Sequence, residues 1–227
     1  MLKSEAEARE AIRLDPSLPR AYDILWQIEA LKGNLTEAAR IIEIEYRLDP
    51  LNPGSIQNLG MMYFIRGREA EAYEHWMRTI GKAPFETNVA MTQCYLSKGN
   101  LAEAWKSLRL AEELRPGEVL VLFLRGYLEA LEGNRDQALA YAKSIRRLEV
   151  GEDSIQFIGY IHYALGDLDS FFRYLENAME KHALDAINLI YNPLFENART
   201  DPRYGRLITN LRARLWPMKD SASQSAP

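Results

Sequence analysis

The 227-residue sequence predicts an all-α protein, a solenoid of antiparallel helix pairs stacked in one phase. Three observations predict it. Prolines that close charged helical stretches recur at Pro16, Pro50, Pro84 and Pro116, spaced 34, 34 and 32 residues apart, and Val150 stands 34 residues further on where the next would fall. Glycines recur at Gly33, Gly67, Gly99, Gly133 and Gly166, at intervals of 34, 32, 34 and 33. Alanines follow four of these glycines five residues later, at Ala38, Ala72, Ala104 and Ala138, and Phe171 breaks that series. Self-similarity at such a period is the signature of a repeat array, in which each unit buries the face its neighbour leaves bare.

Each anchor has a physical reason. The glycine ends the first helix of a pair, where the chain needs a left-handed residue. Asn34, Asn100, Asn134 or Asp167 follows it and suits the N-cap of the second helix; Asn34 with Glu37, Asn100 with Glu103 and Asn134 with Gln137 have capping-box spacing. The alanine lets the two helices approach closely. The proline cannot continue the second helix and stops it. Apolar residues keep helical spacing inside each unit, as in Tyr22, Leu25 and Trp26 or in Ile56, Leu59, Gly60 and Tyr63. No segment alternates with a period of two, so no strand is expected.

On these residues the chain resembles the tetratricopeptide (TPR) family. Its second unit carries the motif most fully, with Leu59-Gly60, Tyr63, Gly67, Ala72 and Pro84; the first has Tyr22, Leu25, Gly33, Ala38 and Pro50. The resemblance spans roughly residues 2 to 182 and implies a right-handed superhelix whose first helices line a concave face. Three positions depart from the motif. Trp26 stands where a small residue is usual, Glu45 replaces the late alanine of the first unit, and Arg125 replaces a core leucine in the fourth.

The expected organisation is an orphan second helix in residues 1–18, five helix pairs in 19–182, capping helices in 183–216 and a disordered tail in 217–227. Asp201-Pro202 is a helix-start signal, and Tyr204, Leu207, Ile208, Leu211 and Leu215 then form one apolar stripe. The stretch from Pro193-Leu194-Phe195 to Leu211 resembles an ending seen after bacterial repeat arrays in winged-helix regulators, adenylate cyclases and serine/threonine kinases. That resemblance implies a regulatory or sensor portion of a larger signalling protein, and beginning on a second helix fits a fragment or an unusual N-terminal cap. Residues 194–227 hold six Arg and Lys against three Asp and Glu, whereas the whole chain has a net charge of −4. A basic amphipathic helix beside an acidic array is expected to dock on it or on an acidic partner, or simply to cap the last repeat.

The acidic balance argues against nucleic-acid binding. No apolar run is long enough for a membrane span, and the charged N-terminus lacks a signal core, so a cytoplasmic protein is expected. Cys94, the lone cysteine, can form neither an internal disulfide nor a zinc cluster. His75, His162 and His182 lack metal-ligand spacing, and no GxSxG, HExxH, P-loop or GxGxxG pattern occurs. Neither an enzyme nor a cofactor or metal protein is expected.

The expected function is a protein-interaction scaffold of TPR type, binding a protein or peptide segment. The candidate partner-binding residues on the concave face are Gln27, Asn58, Met61, Phe64, Gln93, Phe123, Tyr127, Phe157, Tyr160 and Tyr163. They give amides toward the N-terminal half and aromatics toward the C-terminal half, although such aromatics also serve as packing between repeats. A carboxylate clamp for chaperone C-termini is not expected, because its lysine and arginine slots hold Asp23, Glu86 and Ala90. An apolar edge of the N-terminal helix also leaves room for pairing with a second copy.

Overall fold

The structure, a computed structural model, describes residues 1–148, 154–181 and 186–217. Among these residues there is no strand. A single helix, α1 (Leu2–Leu14), precedes the stack of helix pairs. The pairs are α2 (Pro19–Lys32) with α3 (Leu35–Leu48), α4 (Pro53–Ile65) with α5 (Glu69–Thr79), α6 (Pro84–Ser97) with α7 (Leu101–Leu114), α8 (Val119–Leu131) with α9 (Arg135–Arg147), and α10 (Ile155–Ala164) with α11 (Leu168–Lys181). A C-terminal segment follows. It comprises α12 (Ala186–Tyr191), two 3-10 turns at Pro193–Phe195 and Asn197–Thr200, and α13 (Pro202–Leu215). Val150, His182 and the tail from 218 onward lie outside the described residues.

The five turn glycines all sit in left-handed backbone, with φ of 97° at Gly33, 73° at Gly67, 69° at Gly99, 84° at Gly133 and 75° at Gly166. A Cβ is disfavoured there, which is why the period is written in glycine. The caps after them are less uniform than the sequence suggests. Asn100 accepts from the Glu103 amide at 3.3 Å and Asp167 from the Ser170 amide at 3.1 Å. Asn34 and Asn134 instead turn back and donate to Glu29 and Glu129, five residues earlier, at 2.7 and 2.8 Å. A carboxylate on the preceding helix competes for the amide and wins, because a charged acceptor makes the stronger bond. Pro84 also differs from expectation. Helix α5 has already ended at Thr79, and Pro84 opens α6, where its missing N–H costs nothing.

Close packing fixes the spacing within and between pairs. A Cβ built on Gly60 of α4 would stand 1.9 Å from the Trp76 Nε1 of α5, and one on Gly126 of α8 would stand 2.6 Å from Ile161 Cδ1 of α10. Trp76 is fully buried and cannot swing out without opening the pair. Gly60→Ala is therefore expected to destabilise the chain by about 3 kcal/mol, the upper part of the range for overpacking. Chemical denaturation checks this, and a loss below ~1 kcal/mol would show that Trp76 yields easily.

Helix α1 is held to α2 by charge as well as by apolar contact. Glu29 is buried and accepts from Arg9 at 2.8 Å and Lys32 at 3.3 Å, while Lys32 also pairs with Glu5 at 2.7 Å. Arg125, in place of a core leucine, is half-buried between the rings of Trp105 and Tyr141, 5.7 and 5.8 Å from their centroids, and its head pairs with Glu112. Its stem fills the leucine's volume and its charge reaches a partner at the edge.

The core falls into an N-terminal cluster drawn from α1 to α4, a small one between α4, α5 and α6, and a large one running from α6 to α13. Leu31, at the end of α2, belongs to the large cluster. Ile187 and Tyr191 of α12 pack on both the first and the large cluster. The C-terminal segment thus ties the first repeat to the last.

Candidate functional site: the groove lined by the first helices

The first helices α4, α6, α8 and α10 pack on one another in succession, and the C-terminal segment lies against α2, α6 and α10 on this face. Its contacts reach helices far apart in sequence. The Tyr191 hydroxyl donates to the Ala30 carbonyl of α2 at 2.7 Å. Asn192 donates through Nδ2 to Gln93 Oε1 of α6 at 2.8 Å. Phe195 is fully buried, 4.4 Å from the ring of Tyr160, 5.4 Å from Tyr163 and 5.9 Å from Phe171. Arg212 of α13 returns to α2 and donates through Nε to the Leu31 carbonyl at 3.2 Å.

The segment is shaped for this position by its own sequence. Asn192 caps the first 3-10 turn, accepting from the Leu194 amide at 3.0 Å, and Pro193 at its first position cannot extend α12. Arg199 donates to the Asn192 carbonyl at 3.0 Å and so braces the turn from behind. Asp201 then caps α13 by accepting from the Arg203 amide at 2.8 Å. The Arg203 side chain and amide beside Asp201 hold its carboxyl down to about 2. Arg203 reaches Asp169 of α11 at 2.5 Å and lies 4.6 Å over the Phe172 ring, and Arg214 donates to the Met179 carbonyl. Helix α13 therefore covers the last repeat while the turns before it fill the groove; Ile208 and Leu211 of its apolar stripe are buried.

Eight of the ten candidate residues fall into three groups, and Gln27 and Asn58 stand apart. Gln93, Tyr160 and Tyr163 meet the C-terminal segment directly, as above; the backbone N–H of Ala198 also reaches the Tyr163 hydroxyl and pulls its titration back down, against burial that raises it. Phe123, Tyr127 and Phe157 form the aromatic layer behind them. Phe123 stacks on Phe157 at 5.2 Å and meets Tyr127 edge-on at 5.9 Å, and burial raises the Tyr127 titration strongly. Phe64 and Met61 belong to the packing between α4, α5 and α6, with Phe64 tilted 6.5 Å from Trp76. Gln27 is folded onto Asp23, donating to its carboxylate at 2.8 Å. Asn58 lines a polar cleft between α2 and α4. Tyr191, Asn192, Phe195 and Arg212 were missed by the repeat pattern because they lie outside the repeats; the signals for them are the Pro193-Leu194-Phe195 stretch and the basic C-terminal helix expected to dock on the array.

No constellation for catalysis accompanies the groove among the described residues. In these residues no three His, Cys, Asp or Glu groups are placed to hold a metal, and no helix is long and apolar enough to cross a membrane. Burial pushes the Cys94 thiol up to about 11, which leaves it unreactive at neutral pH. His75 is buried against the Ile56 carbonyl at 3.0 Å, and burial lowers its titration.

No family model matches the sequence, and neither does any curated protein. Solved structures do share the architecture. PilW, a widely conserved type IV pilus biogenesis factor, matches over 86% of this chain and 89% of its own, with 19% identity and a TM-score of 0.51. A thermophilic TPR protein of Thermus thermophilus matches over 78% of this chain and 98% of its own, with 20% identity and a TM-score of 0.55. A chain in the structure of the Cut9–Hcn1 hetero-tetramer of the APC/C matches over 96% of this chain and 44% of its own, with 12% identity and a TM-score of 0.58. With the glycine, alanine and aromatic positions in one phase, these likenesses establish that the chain has the superhelical fold of the tetratricopeptide-repeat proteins.

Proposed function

We propose that the protein is an interaction scaffold whose inner groove recognises a short segment carrying tyrosine, asparagine and an apolar pair in the order Tyr-Asn-Pro-Leu-Phe. One observation carries this reading: the groove already receives such a segment from the chain's own C-terminus. The contacts are of the kind a bound peptide makes. A hydroxyl and an amide fix the register on α2 and α6, and one aromatic anchor, Phe195, is sunk among Tyr160, Tyr163 and Phe171. A partner segment of similar pattern competes with the chain's own for the same face. Tethering gives the internal segment a high effective concentration, so a partner gains the groove only by binding more tightly or when the tether is weakened.

The test is a fluorescence-anisotropy titration of a labelled peptide of residues 186–200 into the full chain and into its Phe195→Ala variant. The variant, with its own anchor removed, is expected to bind the peptide at least ~10-fold more tightly than the unaltered chain, because the competitor has been weakened. Absence of binding to both proteins would contradict the proposal.

A further inference from the structure

A cleft of about 380 Å³ opens between α9, α10 and the middle of α11. Leu139, Ala142 and Ile158 give it an apolar floor, and the Tyr174 side chain forms its wall on α11. Lys143, Arg146 and Arg147, from the last two turns of α9, line the same cleft. Among the described residues none of these three is ion-paired. Arg146 donates to the Tyr174 hydroxyl and lies 5.8 Å from the centroid of that ring, with Arg173 of α11 5.6 Å from it. Close packing holds Tyr174 in place. A Cβ on Gly159 of α10 would come within 2.9 Å of the Tyr174 Cβ, and His162 stacks on the ring at 5.5 Å. The Asp167 carboxylate is already taken up by His162 Nδ1 at 3.0 Å and by the Ser170 amide at 3.1 Å.

The repeat framework does not require these cations. The matching positions, five, eight and nine residues after the turn alanine, hold Glu43, Tyr46 and Arg47 in the first pair, Met77, Ile80 and Gly81 in the second, and Arg109, Glu112 and Glu113 in the third. In the fifth pair, counted from Phe171, they are Glu176, Met179 and Glu180, which line a cleft with Arg203, Arg206 and Arg214 of α13. The fourth pair alone is basic at all three. A cation in a last turn suits the helix dipole, but the other pairs stand without three of them. The cleft between α5 and α6 shows how the fold settles its own charges: Glu69 and Lys98 on its rim pair with each other at 2.5 Å. The cations of the fourth pair have no such partner, although the whole chain carries a net charge of −4. An unmatched cationic cluster on an acidic protein complements negative charge brought from outside.

We propose that this cleft docks an acidic segment of a partner protein, with one large apolar side chain on Leu139, Ala142 and Ile158 and flanking carboxylates on Lys143, Arg146 and Arg147. The fifth pair shows the complementary arrangement within the chain: apolar residues of α13 join the core over α11, and opposite charges meet around the cleft beside them. The apolar floor favours a protein segment over a nucleic acid or free phosphate, which bring negative charge without an aliphatic group to cover it. The volume is at the low end of the range for small-molecule sites, which suits a single side chain better than a cofactor. The two arginines present paired donors that match a carboxylate, and Lys143 adds a point charge. The cleft shares no residue with the groove contacts of the C-terminal segment. Failure here therefore leaves the groove titration standing, and the converse also holds.

The probe is the peptide fluorescein-Ser-Glu-Glu-Leu-Glu-Glu-Ser-amide, titrated by anisotropy into the full chain, so that the acids following α9 in the sequence, Glu149, Glu152 and Asp153, compete as they do in the protein. Lys143→Gln/Arg147→Gln removes two exposed and unpaired cations. It is expected to bind the probe at least ~10-fold more weakly, the factor that two exposed ion pairs supply together. Lys3→Gln/Arg13→Gln takes the same charge from the exposed face of α1. That variant is expected to stay within ~2-fold of the unaltered chain, because screening confines the effect to nearby charges. A probe with serine in place of leucine is expected to bind at least ~10-fold more weakly through loss of apolar burial. Methyl resonances of Leu139 and Ile158 are expected to shift and to saturate together with the anisotropy. Equal binding by the Lys143/Arg147 variant, or indifference to the leucine, overturns the assignment, as does the absence of saturable binding up to ~1 mM probe. Displacement of the peptide by an equal concentration of inorganic phosphate or of a single-stranded oligonucleotide likewise overturns it, since the cleft would then select charge alone.

Discussion

Phe195→Ala is expected to weaken the docking of the C-terminal segment by about 3–5 kcal/mol, the range for emptying a fully buried aromatic site. Phe195 touches three rings on α10 and α11 and sits behind a turn braced by Asn192 and Arg199. Phe195 is the largest fully buried side chain of the segment, so little of the loss can be recovered by repacking. The effect is expected to be local. In a repeat array each unit is stabilised by its neighbours, and the N-terminal cluster around Ile41, Ile42 and Leu59 makes no use of Phe195. Hydrogen exchange is the measurement. Amides of residues 192–215 are expected to lose protection about 100-fold or more while those of α4 and α5 keep theirs. Unchanged protection in the segment would show that Phe195 is not its anchor, and uniform loss along the chain would show that the array cannot stand without it.

Glu45→Gln is expected to stabilise the protein at pH 8 by about 2–3 kcal/mol and to leave it nearly unchanged at pH 4, following the linkage between a shifted carboxyl and folding. Burial raises the folded-state value to about 7, above the ordinary 4.5, so folding takes up a proton between these values. The contribution is therefore fully present below about 4.5 and is lost as pH rises through about 7. His75 acts in the opposite sense in part of this window. Its lowered titration means that the folded state resists protonation, so stability declines as pH falls through the ordinary histidine range. Comparing the variant with the unaltered chain removes the histidine from the difference. Urea unfolding from pH 4 to 8 gives the answer directly. Parallel curves for the two proteins would mean that Glu45 titrates as an ordinary carboxyl in contact with water.

The repeat was legible because its determinants are local. A left-handed turn needs glycine, a close helix approach needs alanine or glycine, and both requirements fall within one unit. Gly33 to Gly166 therefore mark the pairs without reference to any distant residue. Legibility ended where two local rules compete at one residue. Asn34 has the spacing of a cap, but Glu29 on the preceding turn is the stronger acceptor for its amide. Pro84 has the phase of a stop, but α5 gives out before it and the same ring serves to start α6. The groove was legible as a face and not as a contact. Helical phase points Gln93, Tyr160 and Tyr163 inward, yet nothing within their own repeats says what meets them. Tyr191 reaches a carbonyl 161 residues away, and Asn192 an amide 99 residues away. Such pairings leave no periodic trace, because the segment that makes them is one irregular turn of backbone. Glu45 and Trp26 stood out as departures from the motif; that they meet became visible only with α2 and α3 in place.

Inter-residue NOEs in solution test the placement of the C-terminal segment most directly. With tyrosine and phenylalanine rings selectively protonated in a deuterated full chain, cross-peaks are expected between Phe195 and Tyr160, whose centroids lie 4.4 Å apart, and between Tyr191 and the amides at the end of α2, where its hydroxyl bonds Ala30 at 2.7 Å. Absence of both sets, with the amides of residues 192–200 exchanging as freely as an unfolded chain, would mean that the groove stands open and that the segment is not its occupant.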